Sequence, residues 1–341
     1  MKLAPGRVSR PTLATVAAAA GVSPATVSKV LNERADVSAG TRRRVEELLR
    51  QYNYAKPGSP PPRTAGIVEL VIDGLDSPWA VEILRGVERE CHDHGLGVVV
   101  SRWRPEDHGN GWASEVSKHG SHGVILVKAR VTAAERALLR AAQTAVVVVD
   151  PVDVGENDIP SVGATNWNGG LAATEHLLEL GHRRIAAIGG PRELMCTRAR
   201  LDGYRAALDR AGAAGCGDDF IRYGDFSVAG GFRQARDLLA LSDRPTAIFA
   251  GSDQQALGAY EAARQAHLRI PDDLSVVGFD DIQLCEWVSP PLTTVRQPLE
   301  QMGRVATSVL LQVLQGRCLV SQRLELATEL MVRHSSAPPG S

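Results

Sequence analysis

From Gly66 onward the sequence repeats one pattern, a short apolar run followed by an amphipathic stretch of helical length. The runs are GIVELVID, GVVVSR, GVILVK, AVVVVD, IPSVGA, RIAAIGG, FIRYGD, AIFAG and LSVVGFDD. Between them lie WAVEILRGVERECHDHG, AAERALLRAAQ, GGLAATEHLLELG, TRARLDGYRAALDRAG, VAGGFRQARDLLAL and QQALGAYEAARQAH. Strands apolar along their whole length must be buried on both faces, and intervening helices supply the cover, so parallel sheets are expected. Nine or more strands over about 270 residues exceed one ordinary sheet, and two α/β lobes follow. In open sheets of this kind a ligand sits beyond the carboxyl ends of the strands.

The N-terminal part obeys a different rule. Up to Thr64 there are 11 Lys and Arg against 4 acids, whereas the rest of the chain holds 27 against 35. The net charge of -1 therefore hides a basic head on an acidic body, the pattern of a polyanion-binding module carried by something else. A solvated basic face would give the same counts. No stretch approaches the ~18 apolar residues of a membrane span, and MKLAPGRVSR lacks an apolar signal core, so a cytoplasmic protein is expected. Cys91, Cys196, Cys216, Cys285 and Cys318 are scattered without paired spacing, which favours reduced thiols over disulfides or a zinc site.

Residues 12–54 read as three short helices. In the first, Leu13, Val16, Ala17 and Ala20 share one face. Gly21 supplies the positive φ of a tight turn, Val22 plugs it, Ser23 caps the next helix, and Pro24 opens that helix where its missing N–H is harmless. PATVSKVLN then buries Val27, Val30 and Leu31 and exposes Ala25, Thr26, Ser28, Lys29 and Asn32. Ser38 caps a third helix with Val45, Leu48, Leu49 and Tyr52 inward. Helix, glycine turn and helix in about twenty residues is helix-turn-helix geometry, and a short polar helix with a central lysine fits a major groove.

The segment from Thr12 to Tyr54, above all AGVSPATVSKVLN followed by VSAGTRRRV, resembles the DNA-binding headpiece of the lactose/galactose-repressor family. The resemblance implies that Pro24, Ala25 and Lys29 read bases. It implies that Thr12, Ser23, Thr26, Ser28, Asn32, Ser38 and Thr41 hold phosphates. Chemistry supports it, since Lys29 can donate to guanine and Ala25 can touch a thymine methyl. The family usually follows its head with a hinge helix carrying a leucine wedge. This chain instead has AKPGSPPPRTAG, where consecutive prolines favour an extended spacer and no leucine is available.

The body resembles the same family through ATNWNGGLAATEHLLELGHRRIAAIGG, TRARLDGYRAAL, SDQQALGAYEAA, LSVVGFDD and SPPLTTVRQPLEQMG. The fold implied is α + α/β: a helix-turn-helix domain followed by a two-lobed, periplasmic-binding-protein-like effector domain of Rossmann-like parallel sheets. The implied division is 1–56 head, 57–64 proline-rich linker, 65–166 with 297–326 the N-terminal lobe, 167–296 with 327–335 the C-terminal lobe, and 336–341 a disordered tail. The implied effector contacts are Asp76, Ser77, Trp79, Asp150, Cys196, Arg200, Phe226, Ser252, Asp253, Asp280 and Gln297. Arg200 stands first among them, because its fork satisfies two ligand oxygens, and Trp79 can stack on a sugar face.

The expected partners are a palindromic double-stranded DNA operator, a sugar-like effector and a second copy of the chain, with no membrane. A purine or nucleoside effector stays open. No cofactor or metal is expected: CHDH on a helix end does not converge on one point, and GxGxxG, Walker A, GxSxG and HExxH are all missing. An enzyme on this architecture would need catalytic groups that the motifs do not supply, and an exported sugar-binding protein would need a leader.

Overall fold

A computed structural model describes residues 13–31, 37–51, 66–74, 76–102, 112–113, 116, 119–128, 131–153, 159–213 and 218–340. Thr12, Asn32 and the linker 57–64 lie outside these residues. The chain divides into two compact units, Met1–Gly66 and Ile67–Ser341.

In the first unit, helices α1 (Leu13–Ala20), α2 (Pro24–Leu31) and α3 (Ala39–Gln51) surround a small core of Val16, Ala17, Ala20, Val27, Val30 and Val45. Gly21 has φ +65°, and the turn closes through Val22 N–H donating to the Ala17 carbonyl at 3.1 Å. Ser23 Oγ accepts from Thr26 N at 3.2 Å, and Ser38 Oγ accepts from Thr41 N at 3.3 Å, so each serine caps its helix. Thr26 and Ser28 are half-buried rather than exposed, because side chains on so short a helix lean toward its neighbours. Ala25 and Lys29, one helical turn apart, face outward.

The second unit contains two six-stranded sheets. The first has the order β11-β5-β4-β3-β1-β2 and is parallel throughout. Its strands are β1 (Ile67–Ile72), β2 (Gly97–Arg102), β3 (Gly123–Val127), β4 (Ala145–Val149), β5 (Ser161–Ala164) and β11 (Arg323–Leu326). The second sheet has the order β12-β10-β9-β8-β6-β7 and is parallel except at the β10–β12 edge. It is built from β6 (Ile185–Gly189), β7 (Ile221–Tyr223), β8 (Ala247–Ala250), β9 (Ser275–Asp280), β10 (Thr293–Arg296) and β12 (Glu329–Met331).

The nine apolar runs are β1 to β9. Strands β10, β11 and β12, and the helix Leu299–Leu314 between β10 and β11, were not among the sequence candidates. The chain crosses between sheets after β5, and these elements make it cross again after β10 and after β11. In each sheet the order reverses once, between β1 and β3 and between β6 and β8, and crevices open at such reversals. The loops that follow these four strands supply most of the cleft described below.

One expectation is corrected. The segment after Ser335 is docked on the second sheet, not disordered. Ser335 is buried, donating to the Val276 carbonyl at 2.6 Å and accepting from Thr293 N at 2.8 Å. Beyond it, Ala337 N donates to Ser275 Oγ at 3.1 Å, and its carbonyl lies 2.9 Å from Nε2 of the buried His182. The composition APPGS signals disorder only where nothing receives the backbone; here His182 and Ser275 do.

Candidate functional site

An open cleft of about 790 Å³ lies between the two sheets, beyond the carboxyl ends of their strands. Its size is ordinary for a small-molecule site. Its walls are aromatic and come from opposite sheets: Trp79 from the start of the helix after β1, Phe226 from the turn after β7. Ser77 caps the helix Pro78–Asp93 and so fixes Trp79 at its second residue. Phe226 lies flat against Gly190, where an added Cβ would come within 2.2 Å of its ring. The IGGPRE segment thus serves to seat an aromatic wall.

The floor is formed by Ser77, Trp79, Lys128, Cys196, Arg200, Phe226, Ser252, Gln254 and Asp280. Arg200 is buried, with Nε donating to Asn166 Oδ1 at 2.8 Å and Nη1 to the Gly251 carbonyl. Its guanidinium stacks 3.8 Å from the Phe279 ring centroid and lies 3.7 Å from Asp280 Oδ1. Asp280 also accepts from Gln297 Nε2 at 2.6 Å. Burial pushes the Asp280 carboxyl above its ordinary range, while Arg200 and Lys128 pull it back. Burial likewise raises the Cys196 thiol to about 12, with the Asp150 charge adding to it, so this cysteine is an uncharged thiol and not a nucleophile.

Three strand ends here carry positive φ: Lys128 (+49°), Asp150 (+52°) and Asp280 (+120°). Non-glycine residues visit this region rarely, and clustered strain of this kind marks sites where side-chain aim outweighs backbone comfort.

Of the residues expected around an effector, Asp76, Ser77, Trp79 and Phe226 line the main cleft, and Cys196, Arg200, Ser252 and Asp280 its floor. The Ser252 hydroxyl is largely committed, capping the helix Asp253–Gln265 by accepting from Gln255 N at 3.2 Å. Asp150 is nearly buried and lines a separate recess of about 190 Å³ behind Cys196. Gln297 stands behind Asp280 and orients it.

Asp253 is corrected: it is fully buried and points away from the cleft. Its carboxylate accepts from Ile282 N at 2.9 Å and from the Thr294 hydroxyl, tying the start of its helix to the ends of β9 and β10. Burial, then the nearby Asp280 charge, raises its pKa. The next residue, Gln254, faces the cleft instead. Lys128 and Gln254 are the floor residues that sequence reasoning missed. Lys128 ends VILVK as Asp150 ends VVVVD, so the same strand-end rule would have found it.

A larger groove of about 940 Å³ lies along the helices Pro78–Asp93 and Leu299–Leu314. It has no aromatic wall, and its charges are paired internally, as in Arg304–Glu90 at 3.2 Å and Arg296–Asp281 at 2.7 Å. It does not have the character of a small-molecule site. Among the described residues no group of three or more His, Cys, Asp or Glu could hold a metal ion. Nor is any described helix long and apolar enough to cross a membrane.

On the head, Pro24 begins α2, and Ala25 and Lys29 are exposed on it. Ser23, Thr26, Ser38 and Thr41 gather at the N-termini of α2 and α3. Their hydroxyls pair as Ser23–Thr26 and Ser38–Thr41, each at 2.9 Å. Helix N-termini bearing hydroxyls are suited to phosphate oxygens.

Residues 12–56 match the family model "Bacterial regulatory proteins, lacI family", and residues 174–336 match "Periplasmic binding protein-like domain". The chain is 35% identical over 329 residues to the ribose operon repressor of Escherichia coli (strain K12), covering 95% of this chain and 99% of that one. Its structure is similar to that of a transcriptional regulator CelR–cellobiose complex, with 34% identity, a TM-score of 0.74, and 96% and 100% of the two chains covered. It is also similar to the lac repressor dimer bound to operator and the anti-inducer ONPF, with 28% identity, a TM-score of 0.75, and 96% and 99% covered. With a head of this geometry and a body matched along almost its whole length, the chain belongs to the LacI family of DNA-binding transcriptional regulators.

Proposed function

We propose that this chain is a repressor of carbohydrate-utilisation genes whose hold on a palindromic operator is set by a sugar bound in the cleft. The observation that carries it is the cleft's pair of aromatic walls, Trp79 and Phe226, drawn from opposite sheets around a floor of Arg200, Asp280 and Gln254. Aromatic faces cover the apolar face of a sugar ring, and forked or charged groups take its hydroxyls. Relatives named for the ribose operon and for a cellobiose complex support the ligand class.

In this account residues 1–56 form the DNA-binding head, with Ala25 and Lys29 reading bases and Ser23, Thr26, Ser28, Ser38 and Thr41 holding phosphates. Two copies place two heads on successive half-sites of cytoplasmic DNA, as the lac repressor dimer does on its operator. A ligand that binds the closed cleft more tightly than the open one shifts the two lobes, and operator affinity shifts with them. The ligand is bound without being turned over.

The test is a thermal-shift screen of the full chain against mono- and oligosaccharides, with nucleosides as the comparison set and recovery of unchanged ligand. A saccharide at about 100 times its Kd should add about 2.7 kcal/mol of apparent stability and be recovered intact. Stabilisation by nucleosides alone would reassign the effector, and product formation would contradict a purely regulatory role.

A further inference from the structure

We propose that the cleft's ligand carries an anionic group, a carboxylate or a phosphate on a polyhydroxylated frame, received by Lys128 and Arg200. The inference rests on the cleft being the effector site.

Its first support is Lys128. The residue directly follows β3 with φ +49°, a conformation suited to Gly, Asn or Asp, and the residue that follows the neighbouring β4 is an aspartate, Asp150. A lysine held there is aimed. Its ammonium sits 4.1 Å from the Trp79 ring centroid and 5.1 Å from that of Phe226, between the two walls a sugar would use. Among the described residues this ammonium makes no ion pair. A ring entering the slot must move it off at least one aromatic face.

The second support is Arg200. Nε and Nη1 are spent on Asn166 and Gly251, and Nη2 makes no hydrogen bond among the described residues. A neutral sugar offers the displaced ammonium and this remaining nitrogen only hydroxyl dipoles. A carboxylate or phosphate offers both a charge-assisted hydrogen bond, stronger on a partly dried floor than in water.

The cleft's acids do not cancel this. Asp73, Asp76, Glu193 and Asp225 line it but are exposed, where water and salt screen them, and the buried Glu135 has its carboxylate committed to Thr132 N, the Thr132 hydroxyl and Trp112 Nε1. Asp225 already accepts from the Ser227 hydroxyl at 2.5 Å, and Asp280 is held by Gln297 and Arg200 and feels the Lys128 charge without forming an ion pair with it.

The experiment is calorimetric titration of the full chain with ligand pairs that differ in the anionic group: glucose against glucuronate, galactose against galacturonate, ribose against ribose 5-phosphate. In at least one pair the charged member should bind about tenfold or more tighter than the neutral one. Lys128→Met should abolish that preference, bringing the charged-to-neutral ratio in the responding pair to about one, whatever it does to the neutral sugar's own affinity. Lys128→Arg should keep it. The pair that responds identifies carboxylate or phosphate as the group recognised. Neutral sugars binding as well as their charged partners, or an unchanged ratio in Lys128→Met, would overturn the inference and leave the saccharide assignment standing. If no saccharide of either kind binds, both fall together.

Discussion

Replacing Arg200 with alanine is expected to destabilise the two-lobed body by about 3–5 kcal/mol and to abolish the response of operator binding to ligand. The guanidinium does three things at once: it fixes Asn166, caps the Gly251 carbonyl and compensates the buried Asp280 carboxylate. Its removal leaves that carboxylate buried without its cation, which is the costly half of breaking an internal ion pair. Asp280 is already pushed above its ordinary pKa by burial, and loss of Arg200 pushes it further. The penalty belongs to the charged form, so it is fully present above the raised folded pKa and shrinks as pH falls through it. Urea unfolding at about pH 8 and about pH 5 should therefore show a smaller loss at the lower value. Equal losses at both would place the effect in packing against Phe279 and not in charge. Arg200→Lys should retain much of the stability but not the response, because an ammonium cannot reproduce the planar fork.

Lys29→Ala should weaken operator binding by about 1–3 kcal/mol, roughly fivefold to 150-fold, and relax preference at one base position. Lys29 is exposed, while Val27 and Val30 on either side of it carry the core contacts, so the substitution leaves the head's apolar core in place. A uniform loss across all duplexes, with the salt slope reduced by about one, would reassign Lys29 from a base to a phosphate. An unchanged footprint and affinity would remove it from the interface.

The parts of this fold that were legible in the sequence were those with strong periodic signals. The central strands showed because buried parallel strands are apolar on both faces, and β4 reads AVVVV for that reason; the edge strand β2 showed through its VVV run although it is not buried. Strands β10, β11 and β12 hid because TTVR, RLEL and ELM are short and partly polar, edge or near-edge segments whose pairing depends on chain crossings. The helix-turn-helix was readable from Gly21, Ser23 and Pro24, each of which does the one local thing its chemistry allows.

At the cleft, strand-end logic located the neighbourhood but not every direction. Asp253 and Gln254 are adjacent at a helix start, and which of the two turns into the core depends on Ile282 and Thr294, far away in sequence. The resemblance, read along the sequence, pointed to Asp253. The C-terminal tail misled for a related reason, since its order depends on His182 and Ser275 and not on its own residues.

In this account one chain couples a duplex-reading helix to a metabolite clamp. The most direct test of that coupling is a titration of the full chain against duplexes selected from a random library, repeated with the cleft ligand present. Sequence-selective binding should appear, and ligand should shift its affinity by about 5–150-fold. Equal affinity for selected and scrambled duplexes, or a saturating ligand that leaves the affinity where it was, would contradict it.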